Sequence, residues 1–198
     1  MKFFAILVGL SLAAPAMAAG YRIDPLASVP YVRQQLAPEA SGAAIYRIAS
    51  FAVANPDAGC AAYGWTFQAL GQRLVGDVAT PTNGKLNLWL AMTIDGRCVW
   101  TTTKTVSDGM VFDIGTLDGY IAAGIVPVAT AEALAQRASS APLTIRYVEL
   151  SAAGGPRPPG ASGHPSYFVS GDAAGVEVTY LVDAVTGVVT PGQGTNAE

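Results

Sequence analysis

Apolar and polar residues alternate along much of the chain, a pattern typical of β-strands that bury one face. Tyr63, Trp65 and Phe67 recur at every second position, so we predict a strand that carries all three rings on one face. The alternation is longest over 86–94, and its apolar members are Leu86, Leu88, Leu90, Met92 and Ile94.

Asp95-Gly96 separates this run from a second one over 97–106. An Asp-Gly pair between two such runs predicts a two-residue type I′ hairpin, because Gly readily adopts a positive φ. In that register Thr93 pairs with Cys98, and Trp89 and Trp100 share a face.

Two segments are predicted to be helical. Ser28 precedes 29–36, with Pro30 in the first turn, and Thr130 precedes 131–139. Residues 43–53 fit either a strand or a helix, while 143–150, 166–169, 175–182 and 188–190 fit strands. We therefore expect an α+β fold, with an antiparallel β-sheet, one or two short helices and one disulfide. Residues 20–198 are expected to form a single domain, with lobes 20–125 and 126–190 as the alternative.

The N-terminus has the order of a signal peptide: Lys2, an apolar run over 3–14, Pro15, and small residues at Ala16 and Ala18. We predict cleavage after about residue 19 and a periplasmic or secreted protein. No cysteine lies near that position, which argues against a lipid-modified N-terminus. No later apolar stretch has the length of a transmembrane helix, so the mature chain is not expected to insert into a membrane.

Charge and cysteine content refine this expectation. The net charge is −3 and only 13% of residues are charged, which makes nucleic acid an unsuitable partner. The chain has two cysteines, Cys60 and Cys98. An oxidising compartment favours their pairing, so we predict a Cys60–Cys98 disulfide.

The C-terminal segment carries Tyr167-Phe168-Val169 and then a strand that ends in Asp183-Ala184-Val185-Thr186-Gly187. This ending, over about 131–190, resembles PepSY-type domains, which are small helix-plus-sheet modules. The resemblance implies a protein that binds or restrains other proteins and does not catalyse. The sequence Asp183–Gly187 also has a local structural explanation, as a turn. Asp183 and Thr186 can form hydrogen bonds to the turn backbone, and Gly187 can adopt a positive φ.

The residues that carry chemistry are few. His164 is the only histidine, and Ser162, Ser166, Asp172 and Asp183 lie near it in the sequence. A Ser-His-Asp set can be written from them, although the Gly-x-Ser-x-Gly spacing of a nucleophile elbow is missing. We predict no metal and no cofactor. Enzymatic activity is left open, with a non-catalytic protein favoured.

The aromatic residues Tyr63, Trp65, Trp89 and Trp100, with His164, are the candidate binding residues, and the alternative is that the rings fill the core. The predicted function is an exported, protease-inhibitor-like binding module that acts on a protein or small ligand in the cell envelope. The alternatives are a small secreted hydrolase with a non-local catalytic set and an envelope structural component.

Overall fold

The computed structural model of the protein describes residues 24–52, 63–75, 78–92, 98–108, 115–152 and 163–192. These ranges contain three helices, α1 (Val29–Leu36), α2 (Asp118–Ala123) and α3 (Val128–Ala138). They also contain eight strands: β1 (Ser41–Ala52), β2 (Tyr63–Val75), β3 (Val78–Met92), β4 (Cys98–Asp108), β5 (Leu143–Ser151), β6 (Ser166–Ala173), β7 (Val176–Asp183) and β8 (Val189–Pro191).

All eight strands belong to one sheet in the order β4-β3-β2-β1-β5-β6-β7-β8. Every neighbouring pair is antiparallel. In the first half of the chain, α1 precedes the four-stranded meander β1–β4. In the second half, α2 and α3 precede the four-stranded meander β5–β8. The first strands of the two meanders, β1 and β5, pair at the centre of the sheet. The two halves therefore share the same strand order, read outward from β1 and from β5.

One face of the sheet forms the hydrophobic core. A single row of cross-strand partners crosses all eight strands, and every member except the two at its ends is buried. The row is Lys104, Leu86, Phe67, Ile48, Leu150, Tyr167, Val182 and Val189. Because strand residues alternate between faces, this row assigns each neighbouring position to a face.

The helices pack on this same face. Val29, Val32 and Leu36 of α1 belong to the core cluster, as do Ala131 and Ala135 of α3. Leu117, immediately before α2, is fully buried and its backbone N–H donates to the Ile45 carbonyl. The Tyr167 hydroxyl donates a 2.6 Å hydrogen bond to the carbonyl of Val126, just before α3. Helices from both halves therefore cover one side of the sheet.

The predicted α+β class with one or two helices is wrong. A single eight-stranded antiparallel sheet dominates the described residues, which also contain three short helices. The predicted disulfide is not found either. The part of the chain that the structure describes holds no disulfide, Cys98 begins β4, and Cys60 lies outside the described residues. A disulfide requires two cysteines whose Cα and Cβ atoms have a specific separation. An oxidising compartment and an even cysteine count do not by themselves provide that geometry.

The hairpin between β3 and β4 exists, but its predicted register is wrong. Met92 pairs with Cys98, where the two-residue turn required Thr93. The connection is therefore 93–97, which lies outside the described residues. Trp89 pairs with Thr101 and Trp100 pairs with Leu90, so strand positions 89 and 100 belong to opposite faces.

The helix predictions differ in outcome. The structure confirms α1 at Val29–Leu36. Helix α3 begins earlier than predicted, at Val128, because the Pro127 carbonyl already accepts hydrogen bonds from the N–H groups of Thr130 and Ala131. Thr130 is therefore in the first turn and is not the N-cap.

Residues 183–187 form the turn predicted from their sequence. The Asp183 carboxylate accepts hydrogen bonds of 2.8 Å from the backbone N–H groups of Val185 and Thr186. The Thr186 hydroxyl accepts one from Val188, and Gly187 has a φ of +73°. This turn joins β7 to the edge strand β8.

Candidate functional site

The sheet face opposite the helices carries two rows of cross-strand partners that flank the core row. We call this whole face of the sheet the open face. Four members of the two rows are nevertheless buried: Ala49, Leu181, Ser166 and Asp183. The first row is Thr103, Asn87, Thr66, Ala49, Glu149, Phe168, Leu181 and Thr190. The second row is Thr105, Lys85, Gln68, Arg47, Ser151, Ser166 and Asp183.

A charged cluster lies at the centre of the open face, where β1 meets β5. Arg47 Nη2 donates to Glu149 Oε2 at 2.6 Å and to the Tyr147 hydroxyl at 3.0 Å. The Tyr147 hydroxyl itself donates to Glu149, and Arg47 Nη1 lies 3.4 Å from Gln68 Oε1. The cluster thus ties both halves of the chain together on the side away from the helices.

Two groups of the cluster, Arg47 and Tyr147, have raised pKa values. The hydrogen bond to Glu149 raises the pKa of Arg47, against the opposing effect of burial. Burial, followed by the hydrogen bond to Glu149, raises the pKa of Tyr147. At neutral pH the arginine is therefore cationic and the tyrosine is neutral.

The rest of the open face is rich in neutral hydrogen-bonding groups. On β2, β3 and β4 they form a ladder: Thr66 donates to Asn87 Oδ1 at 2.7 Å, and Asn87 Nδ2 donates to Thr103 Oγ1 at 3.2 Å. On the other half, the Ser170 and Thr179 hydroxyls lie 2.8 Å apart. Such a surface offers many donors and acceptors and almost no net charge.

An aromatic ring covers a glycine beside the cluster. Phe51 and Gly64 are cross-strand partners, and a Cβ on Gly64 would lie 2.2 Å from the Phe51 ring. The ring therefore lies flat over the β2 backbone, an arrangement that pins register where a glycine would otherwise weaken the sheet.

His164 and Asp183 form a second polar site at the end of β6 and β7. Nδ1 of His164 is 3.1 Å from Asp183 Oδ2, and the His164 ring makes an edge contact with Tyr120 of α2. Asp183 is buried, and its other oxygen holds the turn backbone. The nearest described serine, Ser166, directs its hydroxyl to the His164 backbone carbonyl at 3.5 Å. Asp183 therefore orients the His164 imidazole, whereas the Ser166 hydroxyl is directed to the backbone of His164 and not to its ring.

Of the other predicted binding residues, Trp65 is the one whose side chain the structure describes. Trp65 is 4% exposed and lies in the core with Phe67, on the helix-covered face. Tyr63, Trp89 and Trp100 are placed by their strand register only. Ser162 lies outside the described residues.

Sequence reasoning missed the Arg47 cluster. Its signals were a single cation within the apolar run 43–53 and the period-two spacing of Tyr147 and Glu149. The pairing of β1 with β5, about 100 positions apart, is what joins them.

No protein family matches the sequence, and no curated protein matches it. Among solved structures, the fold is similar to a crystal structure of a "putative lipoprotein" from Clostridium difficile 630, with a TM-score of 0.55. The match covers 86% of this chain and 91% of that chain at 10% sequence identity, so it concerns the fold alone. Among the described residues, no helix has the length and apolar character needed to cross a bilayer, and no group of three or more His, Cys, Asp or Glu could hold a metal ion.

Proposed function

We propose that the chain is an exported module that binds a protein in the cell envelope through its open face and performs no catalysis of its own. The observation that carries this proposal is the pair of largely polar rows on the side away from the helices. The first row crosses all eight strands, and the second crosses every strand except β8. One face of an antiparallel sheet is commonly exposed to solvent. Here that face also carries the half-buried Arg47–Glu149 ion pair and the aromatic ring of Phe51.

The dimensions of the open face favour a macromolecule. Eight strands at about 4.8 Å spacing extend roughly 34 Å from β4 to β8. Seven of the eight strands have eight or more residues and β8 has three, so the face covers on the order of 800 Å². One partner contributes about this area to a standard protein–protein interface. Small ligands instead favour concave pockets that enclose them. Polar and neutral side chains suit the hydrogen-bonded character of non-obligate protein interfaces.

The location in the envelope rests on two supports. The first is the signal peptide predicted over 1–19. The second is the lipoprotein description carried by the structurally similar Clostridium difficile protein. Since no cysteine lies near the predicted cleavage position, we favour a periplasmic or secreted protein over a lipid-anchored one.

The PepSY resemblance over 131–190 also remains part of the proposal. It is supported by the order of α3 and the strands β5–β8, and by the Asp183–Gly187 turn. A domain of this type would bind or restrain a protein, in agreement with the use that we propose for the open face.

Site-specific crosslinking in the native cells tests the proposal. A photo-crosslinking amino acid at position 68, near the centre of the open face, is expected to form one discrete adduct with another protein. The same amino acid at position 137, an exposed position of α3, is the matched control and is expected to form none.

Charge reversal adds a second comparison. Lys85 pairs with position 68 across β2 and β3, and both Lys85 and Arg137 are exposed. Lys85→Glu is expected to reduce the position-68 adduct severalfold, because a reversed charge at a contact disfavours association, while Arg137→Glu leaves it unchanged. Equal adducts from positions 68 and 137, or no adduct between position 68 and a different protein, would each contradict the proposal.

A small secreted hydrolase is the second candidate, and the His164–Asp183 pair is the observation that favours it. A carboxylate on Nδ1 orients an imidazole for use as a general base. If the pair is catalytic, Asp183→Asn and His164→Ala should each abolish hydrolysis of a panel of ester and amide substrates by the purified protein. Hydrolysis that survives both substitutions, or no hydrolysis by the wild type, would exclude this candidate.

A further inference from the structure

The two edges of the sheet differ in how they are protected. Edge strands expose unpaired N–H and C=O groups, and proteins commonly blunt them by shortness, proline, bulges or charge. Strand β8 has three residues and ends at Pro191. Strand β4 has eleven, and it pairs with β3 in an unbroken register from Cys98 to Asp108. Among the described elements, none lies beyond β4.

The charges of β4 do not protect its edge. The strand carries two charged residues, Lys104 and Asp108. Lys104 Nζ bonds the Gln35 carbonyl at 3.1 Å and Glu39 at 2.7 Å, both at the end of α1. Asp108 accepts from Arg73 at 2.6 Å. Both charges are engaged within the chain, so an incoming strand would meet no uncompensated charge.

The polar ladder of the open face reaches this edge. It passes from Thr66 through Asn87 to Thr103, the middle residue of β4. Because the Thr103 hydroxyl accepts from Asn87, its own hydrogen is left to donate farther outward. The ladder thus continues naturally into a strand placed alongside β4.

We propose that two copies of the chain pair antiparallel through β4, with Thr103 on the two-fold axis. In this register all eleven residues of both strands overlap. Lys104 then faces Thr102 of the second copy and Asp108 faces Cys98, so no like charges are directly opposed. The two Lys104 side chains are diagonal neighbours, and each is paired with Glu39 of its own chain. Thr103 faces Thr103, a cross-strand pair that stabilises sheets and joins the two ladders.

Self-complementarity is why the occupant is a second copy and not a strand of another protein. A two-fold contact of this kind is closed, so it yields a dimer and not a fibre. An axis perpendicular to the sheet also keeps the two open faces on the same side. The dimer would therefore present a continuous surface of twice the width, a property that does not depend on what the open face binds.

Charge swapping at the axis tests the register. The protein, purified in its cellular form, is expected to sediment as a dimer at micromolar concentration. Thr103→Lys and Thr103→Glu should each weaken dimerisation at least tenfold, because like charges then face each other on the axis. An equimolar mixture of the two variants should recover the dimer. Thr190→Lys, on the opposite edge, is the matched control and should dimerise as the wild type does.

Amide hydrogen exchange of the wild type provides a measurement that requires no variant. The outward amides of β4 should exchange more slowly as protein concentration rises through the dimerisation range, while those of β8 should not change. A wild type that stays monomeric up to about 100 μM would overturn the proposal. A dimer that tolerates both Thr103 substitutions, or one that the mixture does not restore, would overturn it equally.

Discussion

Replacing Gly171 with alanine is expected to lower the free energy of unfolding by about 3 kcal/mol, the upper range for overpacked interiors. A Cβ at this position would lie 2.3 Å from the Thr144 carbonyl oxygen and 2.9 Å from Ile145 Cα. The register of β5 against β6 is interrupted between Ile145 and Tyr147, and this irregularity presses the β5 backbone onto Gly171. Backbone cannot turn aside as a side chain can, so the strand itself would have to move.

Chemical denaturation measures this loss of free energy of unfolding. In thermal unfolding, the melting temperature should fall by roughly 6–12 °C. Gly119→Ala is the matched control, since a Cβ there meets nothing within 4 Å and the residue lies in helix α2. That substitution should be neutral or stabilising by up to about 1 kcal/mol. A Gly171→Ala variant as stable as the wild type would show that the β5 irregularity is not rigid.

Replacing Tyr167 with phenylalanine is expected to lower the free energy of unfolding by about 1–2 kcal/mol at neutral pH. The side chain is fully buried, and its hydroxyl is the partner of the Val126 carbonyl at 2.6 Å. The substitution keeps the ring but leaves that carbonyl without this donor. The segment that leads into α3 should therefore loosen, which hydrogen exchange at 126–131 would detect.

The Tyr167→Phe variant should also differ from the wild type in how its free energy of unfolding depends on pH above about 10. Burial, and after it the negative charge of Asp24, raises the pKa of Tyr167 above its ordinary value of 10.0. Above about pH 10 the unfolded chain releases a proton that the folded protein retains, so wild-type stability falls as pH rises. The contribution approaches about 1.4 kcal/mol per pH unit for one such group. Tyr167→Phe removes this contribution and should flatten the alkaline fall.

The test is to measure the free energy of unfolding at several pH values from 8 to 11 for the wild type, Tyr167→Phe and a control variant. Tyr31→Phe, at an exposed tyrosine of α1, is the control and should keep both the wild-type stability and the wild-type slope. Equal slopes for Tyr167→Phe and the wild type would contradict the assignment of this alkaline fall to Tyr167.

Local features were predictable from sequence because their causes are local. Helix α1 begins after Ser28 with a proline in its first turn, and the structure confirms its bounds. The Asp183–Gly187 turn formed as its residues indicate, since Asp183, Thr186 and Gly187 act within five positions. The Asp95-Gly96 pair was less informative, because β3 and β4 pair in a register that a two-residue turn does not allow.

The candidate sites were predictable only in part. His164 was singled out, but its partner Asp183 was one of two downstream aspartates, and only the pairing of β6 with β7 selects it. The aromatic residues pointed to a platform, yet Trp65 and Phe67 lie on the helix-covered face. Strand alternation shows which residues share a face, but it does not show which face the helices will cover.

The sequence by itself determined the strand character of the chain, helix α1, the turn at Asp183 and the signal-peptide pattern, all of which depend on neighbouring residues. Tertiary structure alone decided the pairing of β1 with β5, and with it the Arg47–Glu149 contact and the single eight-stranded sheet. It also decided which edge remained long and regular. These features depend on contacts between residues distant in sequence, and such contacts are selected by the burial of a shared core and not by local preference.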